Sequence, residues 1–227
     1  EDKDYPIYCR KKGSHVAPEE ILLDVNELAK NQKYTSIGSF SISPDHKLMA
    51  YSVDFTGGEK YTLKVFNLET KTFLVDQIDN IIGSIVWHED QSGIFYTPTD
   101  EKWRHDKVLF HKLGTKNIDD KLIFHEKDPL YYVSVGKSSS KEYIFITASG
   151  HDSNETYFIK MTDPTLTLHL ALPRKERIQY SIDHNGKFFY QYTNDGAKNF
   201  HILRTESNDY LATKPWSTYI AEKKDKY

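Results

Sequence analysis

The sequence predicts an all-β protein, a partial β-propeller made of four-stranded antiparallel blades. Two observations lead to this prediction. First, an apolar strand, a short polar turn and a second apolar strand recur four times along the 227 residues, and each copy has the pattern of a hairpin. Second, the last apolar residues before these turns, Ile42, Trp87, Val135 and Ile182, are spaced by about 45 to 48 residues, a period typical of propeller blades.

The composition supports a β-rich core and excludes several functions. Hydrophobic residues make up 38% of the chain, with 16 Tyr and 12 Phe, and aromatic residues favour strands. The net charge of −3 is spread without blocks, so no nucleic-acid partner is predicted. No apolar run is long enough to predict a membrane-spanning helix. The single cysteine, Cys9, fits a reducing, cytoplasmic compartment and is expected to be an idle strand residue rather than a nucleophile.

The chain is predicted to begin inside an incomplete blade over about residues 5–33. Tyr5–Arg10 and Glu20–Asp24 read as its two strands, and Val25–Lys33 as a polar connector with a helical turn. The first complete blade follows over about residues 34–80. Its predicted strands are Tyr34–Ser43, Leu48–Asp54, Tyr61–Leu68 and Thr72–Ile78.

Three further blades are predicted over about residues 81–128, 129–176 and 177–222. Turn residues such as Asn194–Gly196 separate their strands. The predicted strands are Ser84–Trp87, Gly93–Thr97, Lys107–Leu113, Lys121–Glu126, Tyr131–Gly136, Tyr143–Ala148, Glu155–Met161, Thr167–Leu172, Gln179–Asp183, Lys187–Thr193, Asn199–Thr205 and Trp216–Ile220.

Large aromatic residues on the broad faces of the blades are predicted to hold them together. Phe40, Trp87, Phe95, Phe145 and Phe189 should be buried against neighbouring blades. Each such ring removes on the order of 150 Å² from water, which is worth a few kcal/mol at about 25 cal/mol per Å². Packing between blades should therefore dominate the stability.

An ordered set of short sequences resembles the propeller of the oligopeptidase B (protease II) branch of the prolyl oligopeptidase family of serine peptidases. The resemblance covers about residues 5–220, nearly without gaps. The matching segments are DVN at 24–26, SPD at 43–45, FNLET at 66–70, HKLGT at 111–115, DKLIFHEKD at 120–128, YYVSV at 131–135, YSIDH at 180–184 and NDGAKNF at 194–200.

This resemblance implies a seven-bladed propeller that caps an α/β-hydrolase domain cleaving short peptides after Arg or Lys. The propeller would act as a size filter, with the hydrolase domain and short basic peptides as its partners. The chain departs from the family in two ways. Leu109–His111 stands where the family commonly has Trp-Arg-His, and Trp103–His105 lies slightly earlier. The hydrolase domain is expected to be absent from this chain.

No catalytic residue is predicted. A serine peptidase of this type needs a nucleophile on a G-x-S-x-G elbow, and the sequence has none. The neighbours His151, Asp152 and Ser153 are interpreted as a turn rather than a triad. The chain is therefore expected to be inactive alone, although its parent family is enzymatic.

No metal or cofactor site is predicted either. The ten histidines form no H-E-x-x-H motif, and His105, His111 and His125 are spaced irregularly across strands and loops. Gly57–Gly58 and Asp195–Gly196 lack the spacing of a phosphate-binding loop and are interpreted as hairpin turns.

Two interpretations remain open for the function and for one charged segment. The leading hypothesis is the non-catalytic, substrate-gating propeller portion of an oligopeptidase B-like serine peptidase. The alternative is a stand-alone propeller that serves as a protein-interaction scaffold. Arg174–Arg177 could donate salt bridges to an acidic hydrolase surface, although a solvated loop is the favoured interpretation.

Overall fold

The structure is a computed structural model that describes residues 3–206 and 215–223. Residues 207–214, which fall within the predicted fourth blade, lie outside the described residues. The strands are β1 Ile7–Lys11, β2 Glu19–Asp24, β3 Ser36–Ile42, β4 Leu48–Asp54, β5 Tyr61–Asn67, β6 Thr72–Trp87, β7 Gly93–Pro98, β8 Lys107–Lys112, β9 Lys121–His125, β10 Tyr132–Lys137, β11 Tyr143–Ser149, β12 Asn154–Lys160, β13 His169–Leu172, β14 Tyr180–Asn185, β15 Phe188–Thr193, β16 His201–Glu206 and β17 Ser217–Ile220.

The strands pair in chain order. β1 pairs with β2, β10 to β13 form a four-stranded sheet, and β14 to β17 form another. β3 to β9 are consecutive neighbours in a seven-stranded sheet. The prediction of an all-β partial propeller of antiparallel blades is confirmed, whereas the exact blade boundaries stay a prediction.

Helical structure is short. The helix α1 (Val25–Leu28) lies in the predicted polar connector, and a single 3₁₀ turn covers Asn117–Asp119. Asp24 caps α1 by accepting a hydrogen bond from the backbone N–H of Asn26 at 2.9 Å. In the part of the chain that the structure describes, no helix is long and apolar enough to cross a membrane.

The strand β6 differs from the prediction. Thr72–Ile78 and Ser84–Trp87 were expected as separate strands, but the structure has one strand from Thr72 to Trp87. Asn80 and Gly83 adopt left-handed φ values of 56° and 74° inside it, and such residues bend a strand without ending it. The segment between the two predicted strands therefore continues the strand instead of forming a separate turn.

The first three predicted hairpin turns share a hydrogen-bond pattern, whereas the fourth is tighter, with Asn185 paired directly to Phe188. In the first, Ser43 N–H donates to Leu48 C=O at 2.9 Å, and His46 N–H donates to Ser43 C=O at 2.9 Å. A left-handed residue recurs in every copy of the turn. These residues are His46, Gln91, Lys141 and Gly186, with φ values of 63°, 60°, 65° and 63°.

The chain divides into two compact units. Residues 1–94 and 111–120 form the first, which contains a core cluster of seven buried side chains. They are Leu22, Leu23, Val25, Met49, Tyr51, Val53 and Leu68. The partly buried Phe40 packs on this cluster and stacks on Tyr8 with ring centroids 4.7 Å apart. Trp87, 1% exposed, donates its indole N–H to the Ser41 carbonyl at 3.2 Å.

The second unit comprises residues 95–110 and 121–227 as far as they are described. Its core cluster joins β11 and β12 of one sheet to β15 of the next through Phe145, Phe158 and Phe189. Phe189 is fully buried and lies 4.8 Å from the ring of Tyr143. Apolar packing thus stabilises the contact between these two sheets, as was predicted from the large aromatic residues on the blade faces.

Candidate functional site

The candidate site is a polar cavity of about 350 Å³ in the second unit. It lies beside the apolar cluster, where β10 and β11 of one sheet face the start of β14. The ten lining residues are Ser134, Thr147, Ser149, Gly150, Ser153, Asn154, Gln179, Tyr180, Ser181 and Ile182. The facing sheets are therefore joined by apolar packing at one end and separated by a hydrophilic opening at the other.

The lining is neutral and rich in hydrogen-bonding groups. Five hydroxyl-bearing Ser and Thr residues and two carboxamides line the cavity, and no Asp, Glu, Lys or Arg is among the lining residues. Ser134, Ser149 and Ser181 are exposed to solvent. A hydroxyl both donates and accepts hydrogen bonds, and so does a carboxamide. The cavity thus suits an uncharged polar ligand.

Strand alternation explains why these side chains share one face. Ser134 on β10 lies opposite Thr147 on β11, and Thr147 lies opposite Thr156 on β12. The Thr147 and Thr156 hydroxyls are 3.0 Å apart. Phe145 lies two residues before Thr147, so it points to the same face. One face of this sheet therefore changes from aromatic to hydroxyl-bearing along its length.

Asn154 and Tyr180 form a hydrogen-bonded floor of the cavity. The Asn154 side chain donates to the Tyr180 carbonyl at 2.9 Å and accepts from the Tyr180 N–H at 2.9 Å. The Tyr180 hydroxyl accepts from the Thr156 N–H at 2.8 Å and donates to the Leu172 carbonyl. Burial raises the pKa of Tyr180, so this hydroxyl stays protonated and can donate.

A charged cluster adjoins this floor and centres on Arg174. Its guanidinium donates to Glu126 at 2.5 Å, lies 3.6 Å from Glu155, and stacks on the Tyr131 ring at 3.5 Å. Asp128 is more distant, at 3.8 Å. The Arg174 side chain is 26% exposed, which places the cluster at the edge of solvent.

Tyrosine hydroxyls connect the cluster to its surroundings. The Tyr131 hydroxyl lies 2.8 Å from the Ser153 hydroxyl, which links the charged cluster to the cavity wall. The Tyr157 hydroxyl donates to Glu155 at 2.9 Å. Burial, together with this carboxylate, raises the pKa of Tyr157 to about 12.

The segment Arg174–Arg177 matches neither sequence interpretation completely. Arg174 binds carboxylates of its own unit instead of extending into solvent, and Lys175 pairs with Asp195 at 2.7 Å. Arg177 is 83% exposed and lies 3.6 Å from Glu176. The segment combines one anchored arginine with a solvated loop.

His151, Asp152 and Ser153 lie in the turn between β11 and β12. The Ser153 hydroxyl pairs with Tyr131 and, at 3.2 Å, with Asp152, rather than with an imidazole. The His151 carbonyl accepts from the Gln179 side chain at 3.2 Å. The geometry is that of a turn beside the cavity and not of a catalytic triad.

The three histidines singled out by the sequence lie apart in different environments. His105 stacks on Tyr132 with ring centroids 4.8 Å apart, and burial lowers its pKa. His125 lies 3.3 Å from Asp106, and His111 is buried in a network described below. Across residues 3–206 and 215–223, no group of three His, Cys, Asp or Glu side chains is arranged to hold a metal ion.

The remaining candidates are turn or surface residues. Cys9 is an exposed thiol on β1. Gly57 has a φ of 73° in a turn where the Asp54 carboxylate accepts from Glu59 N–H at 2.8 Å. Gly196, with a φ of 76°, follows Asp195 in the turn before β16.

Sequence reasoning missed a buried network in the first unit. His111 Nε2 lies 3.0 Å from Asp76, and its Nδ1 lies 2.7 Å from Asp120. Asp76 also accepts from the Gly114 N–H at 2.5 Å. All three side chains are at most 1% exposed. The sequence signal for this network was weak, because Asp76 is the one acidic residue of the predicted strand Thr72–Ile78 and nothing local links it to His111.

These sheets define the chain as part of a propeller of antiparallel blades. A family model described as the prolyl oligopeptidase N-terminal β-propeller domain matches residues 1–227. The chain belongs to this family, as the resemblance predicted.

The similar proteins include peptidases and solved oligopeptidase structures. Protease 2 of Moraxella lacunata is 35% identical over 92% of this chain, and dipeptidyl aminopeptidase BI of Pseudoxanthomonas mexicana is 32% identical over 98%. The chain covers 31% and 33% of these two proteins, about a third of their length.

Two solved structures of oligopeptidase B have the same fold over most of the chain. That from Leishmania major matches 90% of this chain with a TM-score of 0.84 and 27% identity, and 30% of that chain is covered. That from Trypanosoma brucei, in a closed form with covalently bound antipain, matches 97% with a TM-score of 0.84 and 26% identity, covering 31% of that chain.

Proposed function

We propose that this chain is the non-catalytic, substrate-gating propeller portion of an oligopeptidase B-like serine peptidase that cleaves short peptides after Arg or Lys. Its partners would be the α/β-hydrolase domain and short basic peptides, and its compartment the cytoplasm. The observation that carries the proposal is the 35% identity to Protease 2 over 92% of the chain, with a fold match to oligopeptidase B at a TM-score of 0.84.

The packing supports a gating role. A size filter must keep its opening while peptides pass, and the facing sheets around the cavity are fixed by a buried aromatic cluster and by the Asn154–Tyr180 bonds. The neutral cavity lining offers no strong charged anchor at which a basic peptide would be retained. Fixed sheets whose lining does not retain charged side chains suit a filter through which basic peptides pass.

A chimera tests the proposal directly. This chain would replace the matching segment of Moraxella lacunata Protease 2, and hydrolysis would be measured on an Arg-coumarin tripeptide, its Pro counterpart and a folded protein. We expect the chimera to cleave the Arg tripeptide, to prefer it over the Pro peptide and to spare the folded protein. The parent enzyme is the matched control.

Two outcomes would contradict the proposal. A folded, fluorophosphonate-reactive chimera that digests the folded protein would show that the segment does not limit substrate size. Fluorophosphonate labelling of the purified 227-residue chain, with turnover of the Arg tripeptide, would show a nucleophile in the chain itself. A folded, inactive chimera would favour the scaffold alternative.

A further inference from the structure

We infer that the cavity lined by β10, β11 and β14 is a binding subsite for the main chain of an extended, uncharged peptide segment. The choice of a peptide rests on the proposed function. The cavity itself rests on the geometry of the second unit. Its volume of about 350 Å³ lies at the lower end of the range for ligand pockets.

The lining chemistry selects a neutral ligand with alternating donors and acceptors. A peptide main chain presents one N–H and one C=O per residue, and both need partners when they leave water. The hydroxyls of Ser134, Ser149 and Ser181 and the carboxamide of Gln179 can each donate and accept. No charged residue lines the cavity, and the Asp152 carboxylate is engaged by the Ser153 hydroxyl, so the lining itself offers a charged group no opposite charge in exchange for its hydration.

The same lining argues against a carbohydrate. Sugar rings are commonly held by stacking on an exposed aromatic face, and Tyr180 is the one aromatic residue among the lining residues. Tyr180 is 8% exposed, and its hydroxyl is engaged by Thr156 and Leu172. The ring is therefore part of the floor and offers no stacking platform.

The floor is organised before a ligand arrives. Asn154 is 7% exposed, and its amide is held in both directions by the Tyr180 backbone. Ser153 is held by Tyr131. Groups fixed in advance lose little conformational entropy on binding, so weak individual hydrogen bonds can still give measurable affinity.

The test is an amide NMR titration of the 227-residue chain with a blocked, uncharged peptide, acetyl-Gly-Ala-Gly-Ala-amide. We expect saturable shifts concentrated at the lining residues. The double variant Ser134→Ala/Ser181→Ala should bind at least about fivefold more weakly, since it removes two hydrogen-bonding hydroxyls. Ser217→Ala on β17, outside the cavity, is the matched control and should bind like the parent chain.

The inference is overturned if the amide shifts are absent or scattered over the chain. It is also overturned if Ser217→Ala weakens peptide binding as much as the double variant does, or if maltotriose binds as tightly as the peptide. Folding of each variant is read from the dispersion of the same spectra. The titration involves no catalysis, so its result is independent of the chimera experiment. An active, size-selective chimera without peptide shifts would leave the proposed function standing and remove the subsite.

Discussion

Two buried histidines, one in each unit, have different hydrogen-bond partners. His111 in the first unit is 1% exposed, and carboxylates of Asp76 and Asp120 face its two ring nitrogens. His184 in the second unit is 0% exposed, and its Nδ1 lies 2.7 Å from the Ser140 hydroxyl. The His184 Nε2 atom is buried without a hydrogen-bond partner among the described residues.

The two histidines differ in the groups that surround their ring nitrogens. Both His111 ring nitrogens face carboxylates, which accept hydrogen bonds when ionised. His184 lies among aromatic rings, 4.7 Å from Tyr143 and 4.6 Å from Phe189, and burial lowers its pKa. Two equally buried histidines therefore differ in the polar partners that the fold provides.

The largest effect is expected from His111→Leu. This change leaves Asp76 and Asp120 buried without the group between them, and breaking such a buried charged network costs about 3–5 kcal/mol. The measurement is the free energy of unfolding in urea. His151→Leu, at an exposed turn position, is the control and should change stability by less than about 0.5 kcal/mol. If His111→Leu lowers the free energy of unfolding by less than about 1 kcal/mol, the network does not contribute substantially to stability.

The second largest effect is expected from Ser140→Ala. The change removes the hydroxyl that faces His184 Nδ1 and leaves a buried ring with neither nitrogen bonded, which costs about 1–3 kcal/mol. Ser139→Ala, the neighbouring serine that hydrogen-bonds Asp183, is the comparison for general disturbance of the turn. Equal losses in both variants would mean that the turn, and not the histidine, determines the effect.

The turns and strands could be predicted because they follow from residues close together in the chain. Pro44 and Asp45 mark the first hairpin turn, and Trp87 marks the apolar arm before the second. The His111 network could not be predicted, because Asp76 lies 35 residues away on another strand. A contact of that separation depends on how strands pair, which local patterns do not specify.

The cavity could not be predicted from the sequence for a related reason. Ser134 and Ser181 lie on predicted strands, yet nothing local indicated that they would line the same opening. The link from Asn154 to the Tyr180 backbone spans 26 residues and uses a common residue type. Strand positions were thus predictable, while the relation between facing sheets was not.

Acidic pH should weaken the second unit through His184. Burial lowers the pKa of His184 in the folded state, although Glu142 and Asp183 oppose this shift, and the ordinary value is 6.5. The unfolded chain therefore takes up this proton first, so stability is complete above pH 6.5 and falls as the pH drops through that value. The loss is at most about 1.4 kcal/mol per pH unit for one proton.

The measurement for this pH dependence is the urea midpoint at several pH values between about 5 and 8, compared between the parent chain and His184→Leu. The variant should lose less stability on acidification. His105, whose pKa burial also lowers, contributes equally to both curves and cancels in the difference. Parallel curves would show that His184 is not the responsible group.

The smallest effect is expected from the double variant Ser140→Ala/His184→Leu at pH 8. Replacing both partners of a buried hydrogen bond by apolar groups can be nearly neutral, because no buried ring nitrogen is then left without a partner. We therefore expect it to be within about 1 kcal/mol of the parent chain, and more stable than Ser140→Ala alone. If the double variant is the less stable of the two, the His184 ring stabilises the fold through packing against Tyr143 and Phe189. His184 would then differ from His111 in its packing rather than in its hydrogen bonding.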